Sequence, residues 1–301
     1  MPFFNFTSRH TEKQKATEAP PDWAPAPERT HTLGLYNEAT DEEYERAENF
    51  CATCPVEAPR LLPSDIVERI DVEGCRAWKL EWPKSSHFVG QMKDTGEKGG
   101  DSIILVKTKK ECKDVCIFSD LPLLAGLYDI QGKSGIYYEV KIHKMKGIIA
   151  IGTTCRPYPD WRFPGWNRLS AGLHLDDMRK FFEDPNGGRD YTPELKHISE
   201  DDIIGCGYDF LRNSIFYTHN GRRLRDAFTG IYVPRNAYDV YAAIGVEGKC
   251  KFEVNFGGEL FRWKEGNEWA WRVEGHVGRL SGGSGMAGDE LPTYEEIRKG
   301  Y

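Results

Sequence analysis

The sequence predicts an all-β protein, a sandwich or barrel of antiparallel strands, and three observations predict it. The first is the stretch Ile203-Ile204-Gly205-Cys206-Gly207-Tyr208-Asp209-Phe210 followed by Ser214-Ile215-Phe216-Tyr217-Thr218-His219-Asn220-Gly221. Each apolar run is as long as a typical strand. The break, Leu211-Arg212-Asn213, suits a hairpin loop, and Asn220-Gly221 tolerates the positive φ of a tight hairpin turn. Two adjoining hairpins imply an antiparallel sheet; one hairpin in a mixed fold is the competing reading. The second observation is that short apolar runs alternate with turn signals from Ser102 onward, with no long helical period between them, which argues against βαβ units. The third is the 31 glycines and 17 prolines among 301 residues, enough for many turns.

Taken in order, residues 1–32 read as a disordered proline-rich tail, because Pro20-Pro21-Asp22-Trp23-Ala24-Pro25-Ala26-Pro27 favours extended, polyproline-like backbone. Residues 33–85 read as an extension that packs on the body. Trp23 and Leu33-Gly34-Leu35-Tyr36 carry apolar surface that docking would cover. Thr40-Asp41-Glu42-Glu43 opens a helix: Thr40 caps, Glu43 completes a capping box, and the acids suit the first turn. Pro55, Pro59 and Pro63 stop its continuation. Ser64 to Ile70 reads as a short helix, Ala77 to Trp82 as a strand, and residues 90–101 as a mobile loop. Strands follow at Ile103–Val106, Val115–Phe118, Gly135–Ile142, Gly147–Gly152, Tyr238–Gly245 and Lys251–Gly257. Glu268-Trp269-Ala270-Trp271-Arg272 closes the domain, and Ser281-Gly282-Gly283-Ser284-Gly285 has the composition of a flexible linker.

Composition narrows the function. Hydrophobic residues at 39% against 29% charged permit a packed core. The net charge of -7 offers no electrostatic footprint for nucleic acid or for an anionic membrane. No apolar run approaches the roughly 20 residues of a membrane span, and the N-terminal apolar patch is too short for a signal peptide. Asn5-Phe6-Thr7 is then a chance glycosylation triplet. The eight cysteines accordingly read as free cytosolic thiols. Cys51-Ala-Thr-Cys54 has redox or zinc spacing, but no second pair completes a metal site. No Gly-x-Ser-x-Gly elbow, phosphate loop or His-Glu-x-x-His is present, and His143, His174, His197 and His219 are scattered. The chain therefore reads as no enzyme, with no cofactor and no catalytic or metal residues.

A series of motifs resembles the SPRY domain. It runs Tyr137-Tyr138-Glu139-Val140-Lys141-Ile142, Ile149-Ala150-Ile151-Gly152, Pro164-Gly165-Trp166, Ser170-Ala171-Gly172-Leu173-His174-Leu175-Asp176-Asp177, Ile204-Gly205-Cys206-Gly207-Tyr208-Asp209, Ile215 to Gly221, Tyr241 to Gly245 and Val254-Asn255-Phe256-Gly257. The resemblance spans roughly residues 86–262 in the family's order, with Leu173 where Tyr is common and Met178 where Gly is common. It implies a SPRY-type β-sandwich of two bent antiparallel sheets over residues 86–273, which binds proteins through loops at one end and lacks catalytic machinery. Asp176-Asp177 then anchors a turn through backbone N–H groups rather than serving as a catalytic pair. Gly165 and Trp166 read as core packing.

The candidate recognition surface is the loop Arg156, Tyr158, Asp160, Trp161, Arg162 and Phe163, which follows an apolar strand and carries the residue types that dominate binding hot spots. The other reading is that Trp161 and Phe163 fold back on the core beside Trp166. Residues 274–301 read as a flexible tail in which Leu291, Pro292 and Tyr294 form an L-P-x-Y motif, the form that WW domains grip through an aromatic-lined groove. A SPRY domain with such a tail resembles fungal adaptors of WW-domain HECT ubiquitin ligases, which recruit membrane transporters for endosomal and vacuolar sorting. Known adaptors carry a membrane anchor before the domain, and this sequence shows none. The resemblance implies two partners, the ligase and a target protein or peptide, and a cytoplasmic protein associated with endosome or vacuole through them. The alternative is a SPRY subunit of another nuclear or cytosolic complex, its tail motif incidental.

Overall fold

Thr40 caps the first helix as its sequence requires, its side chain accepting from the Glu43 N–H at 3.3 Å. The computed structural model describes residues 40–95, 103–231, 238–277 and 280. The expectations for residues 1–32, for Leu33 to Tyr36, for the linker at 281–285 and for Leu291, Pro292 and Tyr294 fall outside the described residues. Helix α1 spans Asp41–Thr53 and α2 spans Ser64–Glu73.

Eleven strands follow: β1 Gly90–Asp94, β2 Ile104–Thr108, β3 Val115–Phe118, β4 Gly135–Thr154, β5 Ala171–His174, β6 Arg179–Phe182, β7 Arg189–Asp190, β8 Ile203–Asp209, β9 Ser214–His219, β10 Arg222–Thr229 and β11 Tyr241–Asn255. All the pairings are antiparallel. β4 and β11 pair along their whole lengths, from Tyr241 opposite Thr154 to Asn255 opposite Glu139. They serve two layers. The first half of β4 pairs β8 and its second half pairs β5. The second half of β11 pairs β2 and its first half pairs β3. One layer therefore runs β10-β9-β8-β4-β11-β2-β1, and the other β3-β11-β4-β5-β6-β7. This is an all-β sandwich of two bent antiparallel sheets. Its core includes Ile136, Tyr138, Val140, Ile151, Leu173, Cys206, Tyr217, Ile244 and Phe252.

The hairpin at Asn220-Gly221 is present, with both residues at positive φ (51° and 81°) and Arg222 opposite His219. A Cβ on Gly221 would lie 2.5 Å from the Arg262 carbonyl oxygen, so this glycine answers both conformation and space.

Four expectations are corrected. Residues 135–142 and 147–152 form one strand. The Lys-Met-Lys break in the pattern is a bulge, where Lys144 faces Lys251, Ile142 faces Phe252 and His143 is the extra residue. The two runs expected at 238–245 and 251–257 likewise join as β11. Ala77 to Trp82 is no strand: Gly74–Ala77 is a 3-10 turn, and only Leu80 bridges to Ser119. Its alternation reflects burial of Trp78, whose indole donates to the Pro122 carbonyl at 3.0 Å. Within the stretch expected as loop, Gly90–Asp94 is an edge strand on β2.

Two aromatic clusters cover the outer faces. Tyr137 and Phe216 on one layer are roofed by Phe261, Trp263 and Trp271. The Glu139 carboxylate fastens that roof, accepting from Tyr137 Oη at 2.8 Å and from the Arg262 and Trp263 N–H groups at 2.9 and 3.0 Å. Ile148 and Ala150 on the other layer are covered by Phe163, Trp166 and Phe181.

Candidate protein-interaction site

Beyond Thr154 the chain leaves β4 and crosses the outer face of its layer before returning as β5. Phe163 is fully buried there, stacked on Trp166 with ring centroids 5.0 Å apart. A Cβ on Gly245 would come within 2.8 Å of the Phe163 ring, so β11 leaves this room only by having glycine. Arg162 is 2% exposed, donates from Nε to Asn167 Oδ1 at 3.0 Å and lies 4.3 Å over Trp166. Tyr158 Oη donates to the Phe163 carbonyl at 2.7 Å and accepts from the Asn167 N–H at 3.2 Å. Burial pushes its phenol well above the usual range. The fold-back reading therefore holds for Phe163, and Arg162 joins it; Trp161 is buried as well, at 8% exposed, but against α1 rather than beside Trp166.

The remaining loop residues line a cleft of about 420 Å³. Arg156, Tyr158, Asp160 and Trp161 line it together with Phe118 of β3 and with Phe50, Glu57, Glu81, Trp82 and Lys84. The last group comes from the segment before β1, which reasoning from the loop alone missed. In the sequence the Trp82-Pro83 pair was the available signal.

The walls are held in place. Arg156 donates to Glu81 Oε1 at 3.0 Å and to the Ser119 carbonyl at 2.6 Å, with its guanidinium 4.1 Å over the Tyr241 ring. Its own carbonyl accepts from the Glu57 N–H at 2.8 Å. The Asp160 carbonyl accepts from the Cys116 N–H at 2.8 Å, which fixes the loop to β3. Burial raises the Asp160 carboxyl, opposed chiefly by the positive charge of Arg46. Trp161 is covered by α1: Phe50 meets it edge to face and Arg46 lies 3.7 Å over its ring. Glu48 Oε1 accepts from Asn167 Nδ2 at 2.9 Å, and the Cys51 carbonyl from Arg168 at 2.7 Å. Trp82, 58% exposed, is braced by an edge-to-face contact with Phe88 at 5.4 Å. An aromatic cleft with a guanidinium held by Glu81 and the Ser119 carbonyl can hold apolar and polar side chains of another polypeptide.

Asp177 Oδ1 accepts from the Arg179 N–H at 3.0 Å, the turn-anchoring role expected for it. Cys51 and Cys54 are free thiols at the end of α1. Burial pushes Cys51 upward, away from thiolate chemistry. Among the described residues, no group of three His, Cys, Asp or Glu is placed to hold a metal, and no helix is long and apolar enough to cross a membrane.

Residues 135–259 match the sequence model of the SPRY domain. Similar proteins include Protein ssh4 of Sclerotinia sclerotiorum, 28% identical over 265 residues that cover 85% of this chain and 45% of that protein. Protein ssh4 of Neurospora crassa is 26% identical, over 84% of this chain and 46% of that protein. A SPRY domain-containing protein of Schizosaccharomyces pombe is 32% identical over 58% of this chain and 44% of its own length. The chain thus spans about half the length of the curated relatives it matches. A crystal structure of a human SPRY domain aligns over 56% of this chain and 99% of its own, at 23% identity and a TM-score of 0.41. The motifs, the two-layer sandwich and the match over residues 135–259 agree: this chain carries a SPRY domain, a protein-interaction module.

Proposed function

We propose that the chain is a non-catalytic adaptor. Its SPRY domain holds a target protein or peptide in the cleft lined by Arg156, Tyr158, Asp160 and Trp161 together with Phe50 and Trp82. Its Leu291-Pro292-Thr293-Tyr294 tail recruits a WW-domain HECT ubiquitin ligase. Bringing both to one chain raises ubiquitin transfer through effective concentration, without new catalytic groups. Membrane proteins bound for endosome or vacuole are the targets that the resemblance to fungal adaptors favours.

The observation that carries this reading is the cleft: the exposed Trp82 beside an aromatic lining of Phe50, Phe118, Tyr158 and Trp161. The test has two arms on the full chain. Trp82→Ala should abolish target capture and leave WW-domain binding intact. Tyr294→Ala should do the reverse. Equal WW-domain recovery of Tyr294→Ala and parent ends the ligase half. Unchanged target capture by Trp82→Ala ends the cleft half.

A further inference from the structure

The net charge of -7 hides a local reversal. Strands β2, β11 and β4 lie side by side, and the register places Lys107 opposite Lys251 and Lys251 opposite Lys144. Three lysines therefore stand in one row across three strands, at the ~4.8 Å strand spacing. Two residues along, Lys249 is opposite Lys146. Cys250 and Phe252 point into the core, so Lys249 and Lys251 share the outward face. Lys107, Lys146 and Lys249 are exposed, and Lys144 and Lys251 half-buried.

Like charges directly opposite one another destabilise a sheet. Among the described residues, none of these five ammonium groups has an ion pair. The nearest carboxylates along β11 are otherwise engaged: Glu253 meets His143 Nε2 at 3.0 Å, and Glu247 is pushed up by burial and by Asp176. A row that works against the fold and lacks an internal partner calls for an external anion.

We propose that this face docks on an anionic lipid bilayer. Charge complementarity and shape select that occupant. The surface is the open face of a sheet rather than a groove. Its cations are all lysines, mobile point charges suited to a diffuse array of phosphates rather than the fork of arginine suited to one carboxylate. Juxtamembrane lysines act additively on such surfaces. The proposal is independent of the cleft and of the tail.

The experiment is flotation of the full chain with phosphatidylcholine vesicles, with and without about one third phosphatidylserine. The chain should float with the anionic vesicles, stay behind with neutral ones, and be released by high salt. Each Lys→Gln change should weaken binding about fivefold, and Lys107→Gln/Lys249→Gln/Lys251→Gln together on the order of a hundredfold. The triple variant should melt no lower than the parent, because it relieves cross-strand repulsion. A control carrying Lys196→Gln and Lys264→Gln, exposed elsewhere, should float like the parent. No flotation with anionic vesicles, or equal flotation of triple variant and parent, overturns the proposal. So does capture of an acidic polyglutamate peptide by the same lysines without vesicle binding, which would assign the face to an acidic protein.

Discussion

Phe50 of α1 meets Trp161 edge to face, ring centroids 5.6 Å apart and planes at 81°. A residue outside the stretch matched to the SPRY domain thereby covers Trp161 of the loop proposed for recognition. The extension and the sandwich share one cleft, and several measurable consequences follow from how the residues divide between support and contact.

Phe163 and Trp82 should separate stability from binding. Phe163 is fully buried and Trp82 is 58% exposed. Phe163→Ala should lower unfolding free energy by about 3–5 kcal/mol. Trp82→Ala should stay within about 1 kcal/mol of the parent yet lose target binding. Chemical denaturation of both variants, beside a binding assay, checks the split.

The Tyr158 hydroxyl ties three points of the loop together through the Phe163 carbonyl, the Asn167 N–H and the Ser170 hydroxyl. Tyr158→Phe keeps the ring and removes these bonds. It should cost about 1–3 kcal/mol, since buried partners are left unpaired, and hydrogen exchange should rise across residues 163–170.

How much of this was legible in the sequence depends on whether the signal was local. The hairpin at Asn220-Gly221 and the cap at Thr40 rest on neighbours in the chain, and both were readable. The fusion of two runs into β4 was not, because Lys144 and Lys146 look like a polar break until their partners Lys251 and Lys249 are known. The loop proposed for recognition was picked by residue type, but type does not report cover: Arg162 is buried against Asn167 and Trp166, and Phe163 between Trp166 and the distant Gly245. Phe50 and Trp82 joined the site from 70 or more residues away, where no spacing rule reaches.

Gly221→Ala should be costly. Its φ of 81° disfavours a side chain, and an added Cβ would meet the Arg262 carbonyl oxygen at 2.5 Å. The expected loss is about 1–3 kcal/mol or more, read as a fall in melting temperature. Asn220→Gly, which tolerates the same backbone, should cost less, although it gives up bonds to Ile203 and Asp202.

Acid should destabilise the fold through two histidines. Burial pushes His174 down to about 4 and His276 down to about 3. Both folded values lie below the ordinary 6.5, so the stability tied to them is full above pH 6.5. It is lost as pH falls toward 4, by up to ~1.4 kcal/mol per pH unit for each. Asp114 acts oppositely: burial, with Glu247 beside it, raises it to about 7, so its contribution is full below about pH 4 and lost as pH rises to 7. Asp114→Asn should therefore steepen the acid loss between pH 4 and 6.5 by about one proton's slope, and His276→Gln should flatten it. Denaturation midpoints across that range measure both.

The most direct test of the central claim is target capture by the full chain, compared by quantitative mass spectrometry between the parent, Trp82→Ala and Leu211→Ala. Leu211, at 81% exposed against 58% for Trp82, is a large apolar side chain in the β8–β9 loop, outside the cleft lining. The account predicts a set of proteins that Leu211→Ala retains and Trp82→Ala loses. Retention of the same set by Trp82→Ala would contradict it.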